Sequence, residues 1–293
     1  MIGRRRILLG GFAALGLAAC GAQPVKPEPR IARKPKIALA LGGGAARGFA
    51  HIGVIKALET SGIAPDIVIG TSAGSVVGAL YAAGHGPFEL QKLAIQLDEA
   101  SVTDWSLFDR GLIKGEALER FINTHVGGRP IEGLRRRFAA VATDLQSGEP
   151  IVFQRGNTGT AVRASSSIPG VFPPVTIGGR EYVDGGLVAP IPVRAARGLG
   201  ADLVIAVDIS GRPSGKTKAG SLDVLLDTIS IMGGALGKTE LAAADVLIRP
   251  ELRGLPATNF QQRHEAILEG EKAGFAAIPR VREAIAAWER KHP

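Results

Sequence analysis

The sequence predicts an α/β protein of three layers, α/β/α, with a mainly parallel central sheet. Two observations predict it. Short uncharged apolar runs alternate along the chain with longer stretches of helical spacing, the pattern of strand–helix–strand crossovers. Two of those runs also end in glycine-rich turns, at 42–48 and 70–74, that open directly into helices. Open α/β sheets carry their sites at such strand ends.

The elements follow in order. Lys36-Ile37-Ala38-Leu39-Ala40-Leu41 reads as a buried strand. Phe49 to Glu59 has helical spacing, with Ile52, Ile55 and Leu58 on one stripe and Lys56 and Glu59 off it. Asp66-Ile67-Val68-Ile69 is a second buried strand, rich in β-branched residues, and Ala73 to Ala83 is its helix. Further strands are expected over Phe138 to Ala142, just before Asp184, over Leu203 to Val207 and over Asp245 to Ile248. Helices are expected over Gly115 to Thr124, Pro192 to Leu199 and Leu222 to Leu241, and in two stretches after Gln261 separated at Pro279. Arg135-Arg136-Arg137 reads as an exposed strand entry. Trp105-Ser106-Leu107-Phe108 with Leu112 and Ile113 reads as core, with a lid or acyl-chain wall as the functional alternative. Gly211 to Gly220 is a polar loop, either exposed or capping a site.

The N-terminus divides from this domain. Arg4-Arg5-Arg6 precede an apolar, uncharged run from Ile7 to Ala19, too short for a membrane span and suited to the centre of a signal peptide. The run ends in Leu17-Ala18-Ala19-Cys20-Gly21, which resembles the lipobox of bacterial lipoproteins. Cys20 is the only cysteine in the chain, so no internal disulfide can form. The expected organisation is a lipoprotein signal peptide at 1–19, a lipid-anchored Pro/Lys/Arg-rich tether at 20–35 and one large domain at 36–293. Proline keeps the tether extended, at about 3.1 Å per residue. Its basic residues are either solvated or in contact with anionic headgroups. The expected location is the bacterial cell envelope. In a Gram-negative organism, Ala22 in place of an Asp favours the periplasmic face of the outer membrane. The export route, twin-arginine or general, stays open.

Composition excludes several classes. The formal charge of +8 includes three leader arginines, and the remainder is mild and scattered. No nucleic-acid-reading motif appears, and no metal motif such as His-Glu-x-x-His. No cofactor is expected.

The chemistry concentrates in three places. Gly70-Thr71-Ser72-Ala73-Gly74 has the form of a nucleophile elbow, a serine on a strand-to-helix turn flanked by glycines. A structural glycine turn would look the same. Gly42-Gly43-Gly44-Ala45-Ala46-Arg47-Gly48 offers a row of backbone N–H groups at a helix start, an anion cradle. A dinucleotide fingerprint fits it poorly, because Arg47 stands at the third glycine position and no acidic residue ends the second strand. An oxyanion hole beside an elbow serine explains both clusters with one reaction. None of the five histidines, His51, His85, His125, His264 and His292, stands where a base is expected. His51 reads as a helix-face or packing residue. Asp184, before Gly185-Gly186, is the better carboxylate, although Asp-Gly also makes turns. It follows a long small-residue and proline loop, Ala164 to Pro174, suited to the wall of a site.

Together these blocks resemble the patatin-like phospholipases, a family of Ser-Asp acyl hydrolases, and within it the bacterial branch related to the neuropathy target esterase domain. The matching pieces are Gly42 to Val54, Gly70 to Gly74, Ala142-Thr143-Asp144-Leu145, Ser165 to Pro174 and Asp184-Gly185-Gly186, in that order. The resemblance covers about Lys36 to Asp245, with a weaker continuation to Gly274. It implies a patatin-like fold and a catalytic dyad that needs no histidine. Ser72 would be the nucleophile and Asp184 the general base. Backbone N–H groups near Gly43, Gly44 and Ala45 would hold the oxyanion. Arg47 would support that loop or neutralise the intermediate, with a plain packing role as its alternative.

The function so implied is a serine acyl hydrolase, of phospholipase A or lysophospholipase type, that cleaves fatty-acyl esters through an acyl-enzyme. Its partners would be membrane phospholipid or another fatty-acyl ester, and the membrane itself through lipidated Cys20. Thioesterase or general carboxylesterase activity would use the same dyad. A non-catalytic lipid-binding envelope protein is the alternative outside enzymology. Head-group choice and oligomeric state are not encoded in these motifs.

Overall fold

The computed structural model describes residues 33–97, 114–210 and 221–293. The signal, Cys20 and almost all of the tether lie outside the described residues, as do the Trp105–Phe108 segment and the Gly211–Gly220 loop.

Strand β1 (Ile37–Leu41) is wholly buried, and α1 (Phe49–Thr60) returns the chain to β2 (Ile67–Thr71). Helix α2 (Ala73–Ala83) ends at Gly84, which adopts a left-handed φ of 108°. Helices α3 (Pro87–Gln96) and α4 (Glu116–His125) precede β3 (Arg137–Asp144). Then come β4 (Pro150–Phe153), α5 (Thr158–Ser165), β5 (Val175–Ile177) and β6 (Arg180–Asp184). The chain closes with α6 (Val193–Gly198), β7 (Leu203–Val207), α7 (Ser221–Leu241), β8 (Val246–Ile248) and α8 (Arg263–Lys291).

The parallel part of the sheet runs β3-β2-β1-β7-β8. Each of its inner strands alternates its side chains between two apolar layers, as the two-residue period of a strand requires. Leu39, Leu41, Val68, Phe138 and Ile205 face one core, shared with Ile55 and Leu58 of α1, Tyr81 of α2 and Ile267 of α8. Ala38, Ala40, Ile69, Val141 and Val204 face the other, shared with Val193 and Ala196 of α6. Helices therefore cover both faces, the expected three layers.

Two features were not legible in advance. The sheet has an antiparallel end: β4 pairs with one edge of β3 at 140–143, and β6 pairs with β3 at 142–144. Since Ala142 pairs with both Ile151 of β4 and Asp184 of β6, these two strands lie on opposite edges. Val141 likewise pairs with β2 and β4, so β2 and β6 share one edge of β3 and meet end to end.

The second is α8, a single helix that runs through Pro279 rather than breaking there. An interior proline typically costs a helix about 3 kcal/mol. Pro279 sits on the exposed side, where water can serve the carbonyl that loses its partner. The opposite side buries Ala277, Ile278 and Val281, which holds the helix together.

Helices α1 and α8 approach unusually closely. A Cβ on Gly53 would lie 2.0 Å from the Ile267 carbonyl oxygen, and one on Gly270 would lie 1.9 Å from that of Ala50. Alanine normally stabilises a helix interior relative to glycine by about 1 kcal/mol. Here the sign reverses: Gly53→Ala is expected to destabilise by about 1–3 kcal/mol. Gly198→Ala in α6, where an added Cβ meets nothing within 4 Å, is expected to be neutral or slightly stabilising. Urea unfolding of the two variants beside wild type checks the contrast.

Candidate active site

Three turns converge at the carboxyl ends of the parallel strands. Strand β1 runs into the glycine loop, β2 into the Ser72 elbow and β7 into Asp208-Ile209-Ser210. The chain moves from β1 to β2 in one direction across the sheet and reaches β7 in the other, which opens a crevice at this switch point.

The elbow is backbone-strained. Ser72 sits at φ 53° and ψ −125°, a conformation costing on the order of 1–3 kcal/mol for a non-glycine residue. Its flanking residues must be glycine, because a Cβ on Gly70 would fall 2.3 Å from the Gly74 carbonyl, and one on Gly74 would fall 2.2 Å from the Leu41 oxygen. The strain is held from both sides. The Ser72 carbonyl accepts from the Ser75 N–H (2.8 Å) and the Ser75 hydroxyl (2.7 Å). The Ser72 N–H donates to the Ser165 Oγ (2.9 Å). This geometry turns the Ser72 side chain into the cavity at the start of α2, where the helix dipole favours negative charge.

Asp184 ends β6 opposite Ala142, one register position beyond the Thr71–Val141 pair that ends β2. The Ser72 side chain lies near enough to the Asp184 carboxyl to lower its pKa, and both residues line one cavity. The Gly186 N–H donates to Asp184 Oδ1 at 2.7 Å. Ser72 is 7 % exposed and Asp184 6 %. Burial pushes the Asp184 carboxyl up to about 6, against the lowering effect of the Ser72 side chain and the Gly186 hydrogen bond. The carboxylate thus becomes a better proton acceptor than an ordinary Asp while remaining mostly ionised near neutral pH.

The glycine loop is stitched to the same centre. The Gly43 N–H donates to the Pro190 carbonyl (2.9 Å), and the Thr71 hydroxyl donates to that of Ala189 (2.8 Å). Gly43 is therefore committed to the backbone, which narrows the expected trio of oxyanion donors. Among the described residues, no backbone acceptor takes the N–H of Gly44 or Ala45, and Ala45 is held at φ 50°. Both residues line one cavity of about 90 Å³ with Ser72, Asp184, Ile168, Leu187 and Pro190. Arg47 lines it too, half-buried, with its Nε donating to the Leu255 carbonyl (2.9 Å).

The histidines serve structure. His51 is fully buried, and its Nε2–H donates to the Gly42 carbonyl (2.8 Å), which fixes the first residue of the glycine loop. Its Nδ1 is buried without a partner, and burial holds its pKa down to about 4, so the ring stays neutral. The His85 ring bonds the His125 backbone far from the cavity. Among the described residues, no group of three or more His, Cys, Asp or Glu could hold a metal ion, and no helix is long and apolar enough to cross a membrane.

Sequence reasoning missed the supports. Ser165, Ser167 and Thr143 hold the backbones of the two site residues. Ser165 stood in view as part of the loop wall, but α5 extends to it, so it is a helix end rather than loop.

The raised pKa has a thermodynamic consequence. Folding shifts Asp184 from 3.8 to about 6, so the folded state holds its proton more tightly than the unfolded chain. The associated stability is present below about 3.8 and lost as pH rises through about 6. Asp184→Asn lacks this loss. Its stability relative to wild type is expected to improve by on the order of 1 kcal/mol between about pH 5 and pH 8. Urea unfolding at the two pH values measures it, and a pH-independent difference would contradict a desolvated carboxyl.

Comparison with known proteins agrees with the family resemblance. The patatin-like phospholipase family model matches residues 39–197. The NTE family protein Rv1063c of Mycobacterium tuberculosis is 38% identical over 212 residues, covering 71% of this chain and 59% of that protein. Lysophospholipase nte1 of Aspergillus fumigatus is 36% identical over 199 residues, 61% of this chain but only 12% of that protein. The chain thus spans well under two thirds of the length of these relatives. Among solved structures, VipD from Legionella pneumophila superposes with a TM-score of 0.58 at 14% identity, covering 89% of this chain and 67% of that one, a likeness of fold alone. With more than half of its length matched by the family model, the chain belongs to the patatin-like phospholipase family.

Proposed function

We propose that this protein is a serine acyl hydrolase acting on fatty-acyl esters of the phospholipid or lysophospholipid class, with Ser72 as nucleophile and Asp184 as general base. One observation carries the reading: an elbow serine and a buried carboxyl, pushed up to about 6 by desolvation, line one cavity at the strand ends. Family membership and a fungal relative named as a lysophospholipase support the substrate class.

The chemistry follows from the geometry. Asp184 takes the proton of the Ser72 hydroxyl as Oγ attacks the ester carbonyl carbon. The carbonyl oxygen becomes an oxyanion and receives the N–H groups of Gly44 and Ala45, the amides the fold leaves unpaired. Donors of this kind are each worth about 2.7–4 kcal/mol at the transition state. Collapse breaks the ester C–O bond, and the proton on Asp184 passes to the leaving alkoxide. Water, deprotonated by Asp184, then attacks the acyl carbon; the bond to Ser72 Oγ breaks, Oγ recovers the proton from Asp184, and the fatty acid leaves. Covalent acyl transfer thereby splits one difficult step into two. No histidine enters, because His51 is neutral, buried and spent on Gly42.

A fluorophosphonate probe is expected to label wild type at Ser72 and to leave Ser72→Ala unlabelled. Hydrolysis of p-nitrophenyl butyrate should fall by about a thousandfold or more in that variant. Because the base must be ionised, kcat/KM should rise with pH through a midpoint near 6 and then level off. Labelling that survives Ser72→Ala removes Ser72 as nucleophile.

The leader at 1–19 and the lone cysteine after it support a second part of the proposal, anchoring of the protein to envelope lipid through Cys20. In an expressing bacterium, Cys20→Ser is expected to move the protein from the membrane pellet to the soluble fraction. Unchanged partition would reject the anchor.

A further inference from the structure

Ser165 is the last residue of α5 and is fully buried. Its hydroxyl donates to the Val141 carbonyl of β3 (2.6 Å), and its Oγ accepts the N–H of Ser72 (2.9 Å). A hydroxyl has one hydrogen to give, so the donor and acceptor roles are both fixed. Val141 is the residue of β3 against which β2 ends at Thr71. Its neighbour Ala142 is the residue against which β6 ends at Asp184. Ser165 therefore stands at the joint where the two strands meet.

Two residues later, the Ser167 carbonyl accepts the N–H of Asp184 (2.9 Å). From the other side, the Thr143 hydroxyl donates to the Asp184 carbonyl (2.8 Å). One helix end thus holds the backbone of both site residues. Ser165 is absent from the lining of the cavity that holds Ser72 and Asp184.

We infer that Ser165 is a positioning residue: its hydroxyl, bridging Val141 and Ser72, holds the strained elbow in register with the Asp184 carboxylate. The inference rests on the Ser72–Asp184 reading proposed above. Without the hydroxyl, the Ser72 N–H and the Val141 carbonyl are left buried and unpaired, and the elbow is free to relax away from Asp184. Displacements of about 1 Å at a reacting group lower rates by up to about a hundredfold.

A merely structural hydroxyl and a positioning one give different results. Thr158, at the opposite end of α5, is equally buried and donates to the Arg129 carbonyl (2.8 Å). Ser165→Ala and Thr158→Val are to be compared with wild type by fluorophosphonate labelling rate and by p-nitrophenyl butyrate kinetics across pH. Both variants are expected to melt at lower temperature. Only Ser165→Ala should lose kcat and labelling rate, by about 10- to 100-fold, with KM within about twofold. Its pH midpoint should also move upward, because the Ser72 side chain, which lowers the Asp184 pKa, moves away from the carboxyl. The other charged side chain lining the cavity is Arg47, and nearby Asp208 is paired with Arg249 (2.7 Å), so neither variant changes a charge facing Asp184.

Should the alanine variant fail to fold, Ser165→Cys keeps the volume with a weaker donor and is expected to label several-fold more slowly. Wild-type labelling rate and an unshifted pH profile in the folded Ser165 variant overturn the inference while the dyad stands. A wild-type protein that takes no label at Ser72 overturns both together.

Discussion

The site depends on an unusual sharing of one strand edge. Strand β3 is eight residues long, while β2 pairs with only its first five and stops at Thr71. The remaining edge is occupied by β6, running toward β2 and ending at Asp184. Backbone hydrogen bonds to a common strand therefore set the separation of the two residues, with no long flexible side chain involved. A parallel sheet alone could not do this, because its strands all present the same end to the crevice. The antiparallel turn of β5 and β6 delivers a carboxylate from the opposite direction, and the segment after it returns to the glycine loop through Ala189 and Pro190.

Electrostatics then divides labour among groups that are all hard to bury. Asp184 loses water without gaining a cation, so its proton affinity rises into the range useful for a base. Asp208 and Asp144 are also buried, but each faces a guanidinium, from Arg249 and Arg180 respectively. Arg180 and the local backbone amides hold Asp144 well below the usual carboxylate range. The contrast lies in the partner: Asp184, bonded to one backbone amide, is pushed up by burial, whereas Asp144, clamped by Arg180, stays low. His51 shows the same logic for a cation. Its ring cannot charge where it is, and its single N–H is used to shape the loop that offers Gly44 and Ala45.

Much of this was legible in the sequence because its signals are local. The apolar runs at 37–41, 67–69 and 203–207 became strands, and Ala73 to Ala83 became a helix with those bounds. A glycine two residues either side of a serine encodes the elbow directly, since the turn leaves no room for a Cβ. What the sequence concealed is non-local. Strands β4 and β5 are four and three residues long, too short to show a period. Pro279 signals a break, yet the helix survives because tertiary burial on one side outweighs one lost hydrogen bond on the exposed side. That Gly43 gives its amide to Pro190 depends on a contact across about 150 residues of chain, which no motif reports. The roles of Ser165 and Thr143 are hidden for the same reason: a buried serine looks alike whether it fills space or holds a partner.

Several unfavourable features lie together at one end of the sheet. Among the described residues, Ala45 and Ser72 stand at positive φ, the amides of Gly44 and Ala45 lack backbone acceptors, His51 Nδ1 is buried unpaired, and the Asp184 carboxyl is buried. Each lowers stability on its own, and such groups persist only where the surroundings over-determine them. The surroundings here are two apolar cores on the faces of one sheet, and a helix pair, α1 and α8, packed to backbone contact. Helix α1 begins at the end of the glycine loop, and the His51 side chain on it grips Gly42. The close α1–α8 packing is thereby connected, through one helix, to the loop whose Gly44 and Ala45 line the cavity with Ser72.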